Sequence, residues 1–253
     1  MPQSPILFDL DGTLIDSAPG VAWSLNQALA EEGRDALTVD RVKDLVGKGA
    51  VYLVADALKD TGGMIDEAQR DRVKTRFLDI YSRHPLQDTH LFAGALDVLQ
   101  QLRDDAVPMA LCTNKPKITT MPVLDAFGIA EFFSVVLCGD EVPHSKPDGR
   151  HLHATLDAMG HAGARAIMVG DSENDILAAH DAGLPSICVS FGYCHMPYYH
   201  DGSCDTLEQA VRKMGHYERG RELTDAEVTQ IVAFLGALVG ELPQPPSAAG
   251  AQS

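Results

Sequence analysis

Two aspartates, Asp9 and Asp11, follow the apolar run Ile6-Leu7-Phe8 and lead directly into Gly12-Thr13. An apolar run without alternation reads as a strand buried on both faces, as in a parallel sheet. Carboxylates at i and i+2 beyond such a strand repel each other unless a cation or a proton separates their roles. Taken alone, Asp-x-Asp is equally a surface turn, so the other strand ends matter. The run 107–112 ends in Thr113-Asn114-Lys115, the run 133–138 leads to a loop carrying Lys146, and the run 166–169 ends in Gly170-Asp171-Ser172-Glu173-Asn174-Asp175. In parallel α/β sheets ligands bind beyond the carboxyl ends of the strands, so these groups should converge on one edge.

The set suits phosphoryl transfer. A phosphate monoester dianion needs positive or hydrogen-bonding groups around its oxygens. Lys146, Thr113 and the backbone N–H groups of the loop through Gly12 and Thr13 can supply them. Asp9, Asp11 and Asp171 together are too negative to accept that dianion. A hard divalent cation with oxygen ligands resolves this, and Mg²⁺ is the natural choice because it keeps several waters. A carboxylate attacking phosphorus gives an acyl phosphate that water then hydrolyses. A second carboxylate nearby can protonate the leaving alkoxide and later activate that water. Crowding by like charge favours the protonated form such an acid needs.

The elements that must position these residues follow from the hydrophobic pattern. Short apolar runs at 6–8, 107–112, 133–138, 166–169 and 186–189 alternate with helical patterns, which predicts an α/β fold with a doubly wound parallel sheet, a Rossmann-like core. Residues 18–83 contain no strand pattern. Val51, Val54, Ala55 and Leu58 follow helical spacing, as do Val73, Phe77, Ile80 and Tyr81. That stretch is too long for one crossover helix and suits an inserted small helical cap domain. The expected organisation is core at 1–17, cap at 18–83, core again at 84–193, an atypical helical segment at 194–243 and a disordered tail at 244–253. Ser17 and Pro19 mark a helix start, Gly94 another, and Pro116 and Gly128 bracket a third.

In this order, Asp-Leu-Asp-Gly-Thr, Thr-Asn-Lys, Lys-Pro and Gly-Asp-Ser-x-Asn-Asp resemble the motifs of the haloacid dehalogenase-like phosphatase superfamily. The resemblance covers about residues 5–193. It implies Asp9 as nucleophile, Asp11 as general acid/base, and Thr113 and Lys146 as phosphate ligands. It further implies that Asp171 binds the metal with Asp9 and the backbone carbonyl of Asp11, and that Asp175 stands behind them near the metal or Lys146. Asp175 could equally cap the helix that follows. Asp16-Ser17, Val46-Gly47-Lys48-Gly49-Ala50 and Thr113-Asn114-Lys115 look most like the phosphoglycolate phosphatase type, which implies 2-phosphoglycolate as substrate. Lys48 could then reach a substrate carboxylate, or the turn could be a plain surface loop. Asn114 and Lys115 could bind substrate or only shape their turn.

The implied partner is a small phosphorylated metabolite, for which an acidic chain must concentrate its few positive groups, or a metal, in one place. Twenty basic against 36 acidic residues give a formal charge of −16, which argues against nucleic acid. A chain of 253 residues buries about 70–75% of its unfolded surface and needs no disulfide framework. No window approaches a membrane span and no basic leader precedes the first strand, so a reduced, cytoplasmic setting is expected. Cys112, Cys138 and Cys188 fall in strand-like runs and read as small hydrophobes. Trp23 reads as packing, and His151 and His153 as solvated helix residues.

The C-terminal region departs from the superfamily pattern. Thr206 with Gln209 and Thr224 with Glu227 form capping boxes, each followed by an apolar helix face. Tyr-x-His-Asp-Gly-Ser, Thr-Leu-Glu-x-Ala-Val and Leu-Thr-Asp-Ala-Glu-Val resemble the end of di-haem cytochrome c peroxidases, without a C-x-x-C-H haem site. A divergent superfamily tail is the other reading. Cys194, His195, His200 and Cys204 match no zinc spacing. A homodimer through the cap or the C-terminal helix is the oligomeric expectation. The alternatives to a phosphatase are a sugar-phosphate mutase of the same superfamily and a catalytically impaired interaction protein.

Overall fold

The computed structural model describes residues 4–63 and 66–193, together with Glu208, Val211, Arg212, Thr224, Asp225 and Val228. Five parallel strands form the central sheet: β1 (Ile6–Phe8), β4 (Met109–Thr113), β5 (Val135–Cys138), β6 (Ile167–Gly170) and β7 (Ser186–Cys188). Their order is β5-β4-β1-β6-β7, which places β1 at the centre. Asp9 therefore emerges between the ends of β4 and β6.

Side chains alternate between the two faces of the sheet, and each face has its own core. Phe8 and Leu111 pack with Leu99 of α5 (Ala95–Asp104) and with Val123 and Leu124 of α6 (Lys117–Phe127). Leu7, Ala110, Cys112 and Met168 face the opposite way, onto Leu152 and Leu156 of α7 (Arg150–Ala158) and Ala178 and Ala179 of α8 (Glu173–Asp181). Helices on both faces make the sheet doubly wound, as the alternating pattern predicted.

Four helices separate the strand-end aspartates from the return to the sheet: α1 (Ala18–Glu31), α2 (Val39–Leu45), α3 (Ala50–Asp60) and α4 (Glu67–Arg83). They enclose a core of their own, built around Leu25, Leu29, Val54, Leu58, Val73 and Phe77. Fully burying such a side chain contributes about 1.5–3 kcal/mol. The Thr38 hydroxyl caps α2 by accepting the Arg41 N–H, and the Asp66 carboxylate caps α4 by accepting the Gln69 N–H. Val51, placed on the apolar stripe by spacing, is exposed; the buried face of α3 runs through Leu53, Val54, Ala57 and Leu58.

The hydrophobic pattern did not reveal a second, two-stranded sheet. β2 (Ile15–Asp16) pairs antiparallel with β3 (His90–Leu91), joining the chain on either side of the four helices. Strands of two residues are too short to show a period.

Three positions depart from the sequence reading. His151 is fully buried rather than solvated, because α7 turns it inward with Leu152 and Thr155, whereas His153 is exposed as expected. Cys188 is exposed while Cys112 and Cys138 are buried, since β7 is an edge strand. The second apolar run is displaced: β4 begins at Met109 and includes Thr113, in register with Ile6 and Cys138 respectively.

Pro197–Ser253 form a separate compact unit. Within it Glu208, Val211, Arg212, Asp225 and Val228 are helical, and Val211 and Val228 are buried. The Val228 N–H donates to the Thr224 carbonyl, and Arg212 pairs with Asp225. Of the peroxidase-like motifs, Glu208, Val211, Thr224, Asp225 and Val228 are described and the rest, with the Cys194–Cys204 group and the tail at 244–253, lies outside the described residues.

Candidate active site

At the carboxyl edge of the sheet, Lys146 Nζ donates to Asp9 Oδ1 at 2.8 Å and to Asp175 Oδ1 at 2.6 Å. Asp175 Oδ2 accepts the backbone N–H and hydroxyl of Ser172, closing the capping box of α8. One Asp175 oxygen thus faces Lys146 and the other closes the start of α8. Burial alone would lower the Lys146 ammonium, but Asp175 and Asp9 outweigh it and hold it above its ordinary range.

Asp171, past the end of β6, accepts the Tyr193 N–H at 2.7 Å and the Thr13 hydroxyl at 3.4 Å. Gly12 has φ +81°, and a Cβ there would meet Asp171 Oδ2 at 2.2 Å. A Cβ on Gly192 would meet the same carboxylate. Only backbone without side chains passes this closely on both sides.

One oxygen each of Asp9, Asp171 and Asp175 lies within 4.8 Å of the others, all three residues being buried. Among the described residues no basic side chain pairs with Asp171. Burial, with Asp9 and Asp175 adding to it, pushes its carboxyl up to about 8. Asp9 rises to about 6, burial again leading, with Lys146 opposing and Asp175 reinforcing. Carboxylates crowded in this way, with one ammonium among them, form an oxygen-only donor set short of positive charge. It fits a hard divalent cation.

The Asp11 carboxylate is absent from that cluster. Lys115 Nζ donates to its two oxygens at 2.8 and 3.1 Å, and Ser17 Oγ donates to Oδ1 at 2.5 Å. The expected crowding by like charge is thus not what surrounds Asp11; its nearest charged partner is a cation. Lys115 also donates to Tyr81 Oη at 2.9 Å, and burial, which alone would lower its ammonium, is outweighed by Asp11 and Tyr81.

Thr113 Oγ1 accepts the Lys115 N–H at 3.2 Å. Asn114 Nδ2 donates to the carbonyls of Gly47 and Lys146 at 2.9 and 2.7 Å, tying the strand edge to the Gly47-Lys48-Gly49 turn. Its Oδ1 is buried without a partner among the described residues. A cleft opens here, lined by Asp9, Asp11, Thr113, Asn114 and Lys115 from the sheet edge. Gly47, Gly49, Leu53, Phe77 and Tyr81 face them from the helices. Lys48 is exposed and forms no hydrogen bond or ion pair with a described residue, so the turn reaches the cleft through its glycines.

Sequence reasoning left Lys115 between substrate binding and turn shaping, read Ser17 as a helix start and Tyr81 as apolar spacing, and missed Tyr193. Lys115 carried the same signal as Thr113, a polar group directly past a strand. Ser17 precedes α1 as expected, but its hydroxyl goes to Asp11; the Ser17 and Ala18 N–H groups donate instead to Tyr193 Oη, at 2.6 and 2.8 Å. Tyr193 gave no local signal, because its partners lie some 176 residues away.

A doubly wound sheet with a carboxylate, a buried lysine and an acidic cluster at its carboxyl edge defines a class of phosphoryl-handling α/β proteins. The model of the haloacid dehalogenase-like hydrolases matches residues 6–189, and the chain belongs to that family. It is 40% identical over 192 residues to a phosphoglycolate phosphatase of Caulobacter vibrioides, spanning 76% of this chain and 81% of that protein. To one of Agrobacterium fabrum it is 40% identical over 199 residues, spanning 78% and 84%. Among solved structures, a predicted phosphoglycolate phosphatase from Haemophilus somnus superposes with a TM-score of 0.69 at 32% identity, covering 76% of this chain and 87% of that one. The CbbY protein of Rhodobacter sphaeroides, solved in complex with phosphate, gives 0.63 at 26% identity, covering 76% and 88%.

Proposed function

We propose that this protein is a Mg²⁺-dependent phosphatase of small phosphomonoesters, with 2-phosphoglycolate as substrate, acting through phospho-Asp9. The observation that carries the reading is Asp9 at the centre of the sheet edge, paired with Lys146 and adjoining the Asp171–Asp175 cluster. The substrate comes from the relatives, which are named phosphoglycolate phosphatases.

Asp9 attacks phosphorus, the bond from phosphorus to the ester oxygen breaks, and Asp11 gives the leaving alkoxide its proton. Water then attacks the phospho-Asp9, Asp11 takes up the water's proton, and the phosphorus–Asp9 bond breaks to free phosphate. Lys146 and Thr113 bind the phosphate oxygens with backbone N–H groups at Gly12 and Thr13, and Asn114, bonded to the Gly47 and Lys146 carbonyls, orders the edge of the cleft that receives the substrate. Asp9, Asp171 and the Asp11 backbone carbonyl would hold Mg²⁺, with Asp175 behind them. Bound there, the cation would neutralise the carboxylates and the phosphate. The helices α1–α4 act as a cap over the cleft, with Lys48 at its rim, and the setting is the cytoplasm.

Phosphate release is measured over a panel of phosphomonoesters with Mg²⁺ and with chelator. Mg²⁺-dependent release, greatest for 2-phosphoglycolate and abolished in Asp9→Asn without loss of helical signal, is expected. Substantial turnover in Asp9→Asn would remove the nucleophile assignment. Isomerisation of a sugar phosphate without phosphate release would make the protein a mutase. No turnover on any ester would favour an interaction protein.

A further inference from the structure

Lys115 is a lysine in an unusual place. Its side chain is 4% exposed at the floor of the cleft, and it faces Asp11, whose side chain is 11% exposed. Its ammonium also lies 4.4 Å from the centre of the Tyr81 ring, whose hydroxyl it holds. Tyr81 sits in the last turn of α4, inside the core of the four-helix insertion. Burying an ion pair adds little stability over an apolar pair of the same volume. Packing alone therefore gives no reason for a charge here, and the geometry of the charge does.

We propose that Lys115 is a positioning residue for Asp11, and that its hydrogen bond to Tyr81 ties the placement of the Asp11 carboxylate to the four-helix insertion. The proposal rests on the reading of Asp11 as the proton carrier. Lys115 engages both Asp11 oxygens and Ser17 Oγ engages one of them, so the carboxylate's orientation is set from two sides. Both anchors meet Tyr81 on α4: Lys115 donates to its hydroxyl, and the Ser17 side chain also interacts with it. A shift of α4 relative to the sheet edge moves Tyr81 Oη, and with it the third donor direction of the ammonium. Proton delivery thereby becomes sensitive to how the helices stand over the substrate, without any helix residue touching the transferred phosphorus.

The test separates positioning of an acid from general support of the site. Single-turnover release of the leaving group is measured in the Mg²⁺-loaded protein for 2-phosphoglycolate, whose alkoxide needs a proton, and for p-nitrophenyl phosphate, whose phenolate needs none. Asp11→Asn should lose about 10²–10⁴-fold more on 2-phosphoglycolate than on p-nitrophenyl phosphate. Lys115→Met should show the same selectivity with a smaller ratio, at least about tenfold. Tyr81→Phe, which keeps the ring and the fold, should show it more weakly, and adding it to Lys115→Met should cost less than the two single losses combined. Equal losses on both esters in Lys115→Met and Tyr81→Phe, with Asp11→Asn still selective, would overturn the proposal and leave the proton carrier in place. Absence of selectivity in Asp11→Asn itself would overturn the underlying reading, and the proposal with it. Should Lys115→Met not fold, Tyr81→Phe decides between the same two results.

Discussion

Lys146 Nζ lies 2.6 Å from Asp175 Oδ1, with the two side chains 2% and 1% exposed. The same ammonium reaches Asp9 Oδ1. One buried cation thus locks the end of β1 to the first turn of α8. Removing it in Lys146→Met strands two carboxylates out of water, at a cost of about 3–5 kcal/mol. Urea unfolding at pH 7 should show that loss, and activity should fall with it. Unchanged stability would mean the pair is not buried in solution as described.

Gly12 prevents a collision as well as permitting a turn. A left-handed backbone costs an alanine about 1–2 kcal/mol, and the Cβ in Gly12→Ala would strike the Asp171 carboxylate. Displacement of Asp171 by about 1 Å should lower turnover on the order of 100-fold. Mg²⁺ affinity, read by titration calorimetry, should weaken in parallel. Retention of both would show that Asp171 is not held by this approach.

Tyr193 Oη accepts two N–H groups at the start of α1 and donates to Asp16 Oδ1 at 3.1 Å. Ser17 makes no side-chain cap of its own, so the tyrosine hydroxyl performs the capping from a distant loop. Tyr193→Phe should destabilise the protein by about 1–2 kcal/mol, as loss of a helix cap does. Thermal unfolding measures this, and a shift within error would count against the long-range cap.

His151 supplies a pH dependence. Burial, with the nearby Lys146 adding to it, lowers its imidazole from 6.5 to about 4, while the Leu137 carbonyl and Asp175 pull the other way. As pH falls, the unfolded chain takes the proton first, so stability is complete above about pH 6.5 and drains away toward pH 4. At about 1.4 kcal/mol per pH unit, some ~2 kcal/mol should be lost between pH 6.5 and 5 relative to a His151→Leu reference. Parallel stability curves for the two proteins would show that His151 is neutralised by some other means.

Much of the fold was legible because its signals are local. Uninterrupted apolar runs identified all five sheet strands, and the absence of such runs over 18–83 left only helices there. Asp9, Thr113, Lys146 and Asp171 could be selected together because a parallel sheet sends every strand end to one edge, whatever the sequence distance. The paired strands Ile15–Asp16 and His90–Leu91 carried no period, and the inward turn of His151 depended on which face of α7 meets the sheet.

What the chain determines by itself is the inventory and the edge on which it gathers, since strand type follows from local apolar patterning and a parallel sheet sends its strand ends to one edge. What only the tertiary structure decided is how the carboxylates are partnered. Asp9 and Asp175 share Lys146, Asp171 lies against two glycines, and Asp11 turns to Lys115, Ser17 and, through Lys115, to Tyr81. Asp9 meets Lys146 across 137 residues and Asp11 meets Lys115 across 104. At such separations spacing carries no information about which charge meets which, because burial and packing decide it.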